Sequence, residues 1–315
     1  MDERAALHLG GGALAAAAAG GPVPLRVLPD REALYADCAD AMLAEIRTAA
    51  EEDRPCRLIV PVGPRGQYPL LVRRCALEGV DLRHVHLFAM DEYLDWQGRS
   101  LPADHPLSFR GFLRRQLLEA LPPACGLSPE RVVFPDPLRL EEYSRQIAAL
   151  GGIDCCFGGV GIHGHVAFNE PPLSRFGEVT PEAFAASLTR IVPLAPETVV
   201  MNSIRATGGD FADFPPLAVT AGMADILGAR RIRLYCDGGS WQRSVLRRAL
   251  FGAPTTAWPV TLLRGHPDYR LACDAETAAA VDGGPGAGGG PAAAGAGAPG
   301  VDSGPGSDRG SEARR

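Results

Sequence analysis

Two imidazoles and a carboxylate stand close together in the stretch GGVGIHGHVAFNEPP, residues 158 to 172. His163 and His165 are two positions apart, so an extended backbone projects both to one side. Glu170 comes five residues after His165. An imidazole beside a carboxylate is a proton-transfer pair, in which the carboxylate fixes the tautomer and raises the basicity of the ring. His-x-His is equally a metal-ligand spacing, which Asp91 or Glu170 could complete. The plainest alternative is a glycine-rich turn carrying surface histidines. Gly158, Gly159, Gly161 and Gly164 would let a ligand approach the backbone and its N–H groups.

Three further segments carry chemistry. Asp91 and Glu92 directly follow the apolar run VHLFAM, residues 85 to 90. A carboxylate at a strand's end can be partly desolvated, which raises its pKa and makes it a competent proton acceptor. Asp91 would serve equally well as a helix cap. The loop PVGPRGQYP, residues 61 to 69, contains Gly63, Arg65, Gly66 and Gln67 between an apolar run and a helical one. The stretch CDGGSWQR, residues 236 to 243, repeats that plan with Ser240 and Arg243. Such loops can hold an anion at a helix N-terminus, and arginine adds a forked donor. Neither loop has the G-K-[ST] ending of a nucleotide-binding P-loop. Two of them together suggest a small molecule bearing phosphate, although each alone could be a tight turn.

The surrounding elements say how these loops could meet. LRVLP (25–29), CRLIVPVG (56–63), VHLFAM (85–90), IDCCF (153–157), LAVT (217–220) and RIRLYC (231–236) are short apolar runs of buried-strand type. Between them lie amphipathic stretches at 31–52, 69–79, 105–121, 140–152 and 240–252, several stopping at glycine. The alternation predicts an α/β fold: an open, mostly parallel sheet with helices on both faces. Ligands of such sheets bind beyond the carboxyl ends of the strands, where strand order reverses. The candidate loops all leave such ends.

Composition narrows the possibilities. The chain has 315 residues and a net charge of −6, with no basic block that would mark a nucleic-acid partner. No apolar run is long enough to cross a bilayer. Its eight cysteines form no C-x-x-C pair and mostly sit in apolar runs, which points to reduced thiols in a cytoplasmic core. All 31 basic residues are arginine, so Schiff-base and phosphate-binding lysines are both excluded. Residues 1–22 and 277–315 are rich in Gly, Ala and Pro and are expected to be disordered, leaving one catalytic domain at 23–276.

FAMDEY followed by GGVGIHGHVAFNEP resembles the glucosamine-6-phosphate deaminase (isomerase) family. The likeness continues through DHPLSFRGFL, AVTAG and HPDYRLACD, over roughly residues 25 to 275. The G-H-[IV]-A-F-N-E-P segment separates that family from the related 6-phosphogluconolactonases. The resemblance implies a modified Rossmann-like sheet and a sugar-phosphate substrate, with neither cofactor nor metal. It also implies assembly as a homo-oligomer. Its reaction would be aldose–ketose isomerisation with loss of ammonia. By motif position Asp91 is the base that moves the C2 proton to C1, His165 opens the pyranose ring, and Glu170 orients His165. Gly161, Gly164 and Glu92 join the substrate-binding set on the same grounds.

The departures from the family pattern bear on the substrate. His163 stands where the family has Asp or Asn, and a second imidazole, if charged, would lower the pKa of His165. The Thr-Gly-Gly-Thr phosphate loop is here Val62-Gly63-Pro64-Arg65. The arginine of an Asn-Ser-Arg run becomes Ile204, with Arg205 next, and a phosphate lysine becomes Gln242, beside Arg243. The expectation is a rearranged cradle of Arg65, Arg205 and Arg243 for a sugar phosphate. A different sugar, an isomerase without deamination, a lactonase and a non-catalytic sensor are the alternatives.

Overall fold

The computed structural model describes residues 3–173 and 177–281. Ten strands form two sheets: β1 (Leu25–Leu28), β2 (Cys56–Val60), β3 (Val85–Ala89), β4 (Asp91–Leu94), β5 (Val132–Val133), β6 (Cys155–Gly158), β7 (Arg190–Pro193), β8 (Leu217–Thr220), β9 (Arg231–Cys236) and β10 (Tyr269–Asp274). The main sheet has seven strands in the order β1-β10-β9-β6-β2-β3-β5, and every pairing in it is parallel. β4, β8 and β7 make a small antiparallel sheet.

Successive side chains of a strand point to opposite faces, and both faces of the main sheet are covered. Leu58, Val60, Leu87 and Phe157 pack on one side with the helices Arg31–Glu51 and Gln67–Glu78. Ile59, Phe88, Cys156 and Ile232 pack on the other with Leu140–Ala149 and Arg243–Phe251. All eight cysteines are unpaired and buried. No helix among the described residues is long and apolar enough to cross a membrane.

Three readings of the sequence change. The amphipathic stretch 105–121 is not one helix: Phe109–Leu113 is α-helical and Arg114–Leu118 continues as a π-turn. HPDYRLACD supplies the strand β10, whose hydrophobic pattern is too short to stand out. The N-terminal extension is ordered where it is described, with helices at Glu3–Ala6 and Gly11–Ala19, and Leu14 and Ala18 are buried. Alanine explains the helix, since it has the highest intrinsic propensity. The segment from 277 likewise begins folded, with Thr277 and Ala278 buried; the remainder of that predicted tail, from residue 282, lies outside the described residues.

One side chain holds the segments near residues 6–9 and 277–279 to the body. Arg247 is fully buried and donates to the carbonyls of Ala6, Leu9, Arg243, Thr277, Ala278 and Ala279. Burial lowers its pKa to about 10, which leaves it charged at neutral pH. Arg247→Ala would strand several buried carbonyls at once, at a cost of roughly 3 kcal/mol. The expected result is a lower Tm and earlier proteolytic cleavage within residues 3–22. A variant as stable and as resistant as the parent would show that this network is dispensable.

Candidate active site

A cavity of about 260 Å³ opens at the carboxyl ends of four adjacent strands, β9, β6, β2 and β3. Each strand delivers one wall: Val62, Gly63 and Arg65 after β2, Met90 and Asp91 after β3, Gly159 to Gly161 with His165 after β6, and Asp237 after β9. The chain runs outward from β2 to β3 and β5 on one side and from β6 to β9 and β10 on the other, so the cavity lies at a reversal of strand order. The small sheet closes the site from above. The Tyr93 ring on β4 lies tilted against those of Phe109 and Phe168, both cavity residues, with centroids 4.7 and 5.2 Å away.

Asp91 and Glu92 are neighbours on β4 with opposite environments. Glu92 accepts hydrogen bonds from the N–H groups of Tyr93, Phe109 and Arg110 and from Ser108 Oγ, at 2.8–3.1 Å. It therefore anchors the start of the helix Phe109–Leu113, and the expected substrate role for it does not fit its position. Asp91 faces the cavity and caps no helix, and its carboxyl has no hydrogen-bond partner among the described residues. Burial, then the neighbouring Glu92, push its pKa up to about 8.

His165 is buried, and its ring sits over Gly161, where a Cβ would lie 1.8 Å from Nε2. That contact explains why position 161 is glycine. Burial, then His163, lower the His165 pKa to about 3, so the ring is a neutral imidazole. Glu170 does not hydrogen-bond to it: Nδ1 of His165 and Oε1 of Glu170 are 3.8 Å apart. The other Glu170 oxygen accepts from Ala195 N, and burial raises the pKa of this carboxyl. His163 Nε2 faces Glu197 at 3.5 Å. The loop is tied to the small sheet through Asn169, which donates to Val166 and Ala221 carbonyls, and through Phe168 N to Thr220 Oγ1. Ala167, a cavity residue, is held at φ 53°. That left-handed geometry costs roughly 1 kcal/mol for a residue with a Cβ.

The anion cradle is smaller than expected. Arg65 lines the cavity, donates from Nε to Val62 O and lies 5.1 Å from the Phe112 ring centroid. Arg205 lines it from the helix Pro196–Thr207. Arg243 does not: its guanidinium bonds to the carbonyls of Glu276 and Ala280. Ser240 and Gly164 are not among the cavity residues either, and neither are Gly66 and Gln67. Gln67 is buried and donates to Pro64 O, shaping the loop from behind. Gly66 is where the Tyr35 ring packs, at a distance no Cβ would allow.

Sequence reasoning missed Tyr35, Asn202 and Asp237, and it did not predict the role of Gln242. Tyr35 donates to Asp237 at 2.8 Å, and Arg205 pairs with the same carboxylate at 3.4 Å. Gln242 bridges two loops, donating to Val160 O and accepting from Gly238 N. A signal for Asp237 existed: it follows β9 directly, as Asp91 follows β3 by one residue. Tyr35 lies within an amphipathic helix and carried no such mark.

No family model matches the chain. Curated relatives do. A glucosamine-6-phosphate deaminase of Porphyromonas gingivalis is 34% identical over 267 residues, covering 82% of this chain and 93% of that protein. One from Mycolicibacterium smegmatis is 31% identical over 254 residues, covering 80% and 90%. Among solved structures, a monomeric glucosamine-6-phosphate deaminase aligns with a TM-score of 0.68 at 23% identity, over 81% of this chain and 98% of that one. A 6-phosphogluconolactonase from Trypanosoma cruzi aligns with 0.62 at 19%, over 81% and 96%. The solved structures define the class of fold, one shared by deaminases and lactonases. Within it, the chain belongs to the glucosamine-6-phosphate deaminase family.

The state of Asp91 has a consequence for stability. Its folded pKa lies above the value for an unfolded aspartate, so the folded protein holds a proton that the unfolded chain releases above about pH 4. Its contribution is complete below that pH and is lost as pH rises through about 8. Asp91→Asn should therefore raise Tm, and raise it more at pH 8 than at pH 5. An equal gain at both pH values would count against a buried, protonated Asp91.

Proposed function

We propose that this enzyme isomerises an amino-sugar phosphate from aldose to ketose and releases ammonia, with glucosamine 6-phosphate as the leading substrate. The carrying observation is that Asp91, His165, Arg65 and Arg205 face one cavity of sugar-phosphate size. In this reading His165 handles the ring-oxygen proton and the pyranose opens. Asp91 takes the proton from C2 and returns it at C1, so the amino group comes to lie on an imine carbon. Water adds there and ammonia leaves, giving a ketose phosphate with no redox change. Asp91 must be ionised to accept the proton, and the substrate's own ammonium group, close to it, favours that state. Glu170 holds the loop through Ala195 and stands behind His165. Eight buried thiols support a cytoplasmic setting, and exposed Val200, Ile204 and Phe211 are apolar side chains available for a homo-oligomer.

Assays of glucosamine 6-phosphate should show ammonia and a ketose phosphate in equal amounts. Asp91→Asn should lower kcat by at least about 10³-fold while the fold persists. In the parent enzyme kcat/KM should climb with pH towards about 8. Turnover retained in Asp91→Asn, or a rate flat across that range, would remove Asp91 as the base.

Asp237 favours a second reading of the substrate. A carboxylate at the cavity end that holds Arg205 neutralises part of the charge a phosphate dianion would meet. A sugar with a less charged distal group is then the alternative. Arg205→Ala should raise KM for phosphorylated amino sugars at least tenfold, and Asp237→Asn should lower it. Should Asp237→Asn leave phosphorylated substrates unaffected and impair unphosphorylated ones, the second reading prevails.

A further inference from the structure

His163, His165 and Glu170 each offer a ligand atom, and these atoms lie within 4.8 Å of one another. Three buried atoms of this same group make no hydrogen bond of ordinary geometry: His163 Nδ1, His165 Nδ1 and Glu170 Oε1, the last with the equally unpaired Thr198 hydroxyl close enough to lower the Glu170 pKa. Buried polar atoms are almost always satisfied, and each unsatisfied one costs free energy. Three orphans clustered on two nitrogens and one oxygen form a donor set.

We infer that His163, His165 and Glu170 hold one divalent transition-metal ion, with zinc the best match. Two imidazoles and one carboxylate are a recurrent zinc set, leaving a fourth position open. Zinc bonds of about 2.1 Å keep tetrahedral ligand atoms about 3.4 Å apart, so atoms now up to 4.8 Å apart need to close by up to about 1.4 Å. A shared proton answers the observations less well. It could join only two of the three atoms, and the His165–Glu170 separation of 3.8 Å is too long for a hydrogen bond. Glu197 Oε2, 3.5 Å from His163 Nε2, supplies the outer carboxylate that commonly orients a ligating histidine.

The location gives the ion a purpose. His165 lines the cavity, whereas His163 and Glu170 do not. Coordination through Nδ1 would leave Nε2, packed over Gly161 beside the cavity, as an N–H donor. The ion would thus fix the tautomer that His165 presents to a ligand, from a position behind the ring.

The test needs no substrate, so its outcome is independent of the proposed sugar chemistry. Full-length protein is stripped with a chelator and exposed to one equivalent of zinc or cobalt(II), with metal content measured by mass spectrometry after desalting. The inference expects about one ion per chain, visible d–d bands in the cobalt form, and a Tm raised by several degrees. His163→Ala and His163→Leu should each weaken binding by at least about tenfold and abolish the Tm shift. His163 sits in a loop and is partly exposed, so metal-free Tm values close to the parent's are expected for both variants. Zinc retained equally by the His163 variants would assign it to other groups, such as the cysteines, and overturn the inference. So would a parent protein that neither retains the ion nor gains stability, which is the result expected if a trapped water satisfies the three atoms.

Discussion

Two adjacent acids on β4 set the terms for the whole site. A strand turns successive side chains to opposite faces, so one of Asp91 and Glu92 must face the protein and the other the cavity. Glu92 takes the inner side and is satisfied there by four donors, three of them backbone N–H groups, of which two open the next helix. That fixes the strand's rotation and leaves the Asp91 carboxyl buried with no hydrogen-bond partner among the described residues. A carboxylate so placed cannot relax onto a nearby donor, because the register with Thr220 of β8 holds it in line. Its raised pKa is therefore a property of the sheet junction more than of the residue itself. A one-residue slip of β4 would exchange the two acids and destroy both functions.

The same junction explains why a second sheet is needed. β3 ends in the main sheet at Ala89, and Met90 bonds to both sheets, donating to Val60 and accepting from Ala221. From there β4 leaves to pair antiparallel with β8, and β8 in turn receives the turn Val166–Asn169 through Thr220 and Ala221. Asp91 and His165, which follow β3 and β6, are thus referenced to a common strand, although they lie far apart in the chain.

Much of this was legible in the sequence, and for a clear reason. Buried parallel strands announce themselves as continuous apolar runs, and the chemistry sits at their carboxyl ends, so Asp91, His165 and Arg65 could be placed before any contact was known. What stayed hidden depends on tertiary direction. Arg65 and Arg243 follow similar Gly-containing loops, yet one faces the cavity and the other bonds the carbonyls of Glu276 and Ala280. Glu92 and Asp91 differ only by the pleat. Asp237 and Tyr35 form a pair across 202 positions. The N-terminal helices were obscured because alanine-rich composition signals both disorder and helix, and only burial of Leu14 against the body decides between them.

His163 shows how one substitution alters a site twice. The family resemblance puts a carboxylate or amide at this position, and an acid there would have favoured a cationic His165. An imidazole instead adds to the desolvation that already keeps His165 neutral. With Glu170 engaged by Ala195 and 3.8 Å from the ring, neither neighbour supplies negative charge to His165 by hydrogen bonding. A neutral ring can still donate, provided that its proton stays on the nitrogen that faces the ligand. The residue at 163 therefore adds to the forces that keep His165 neutral, and which ring nitrogen carries the proton becomes the property that matters.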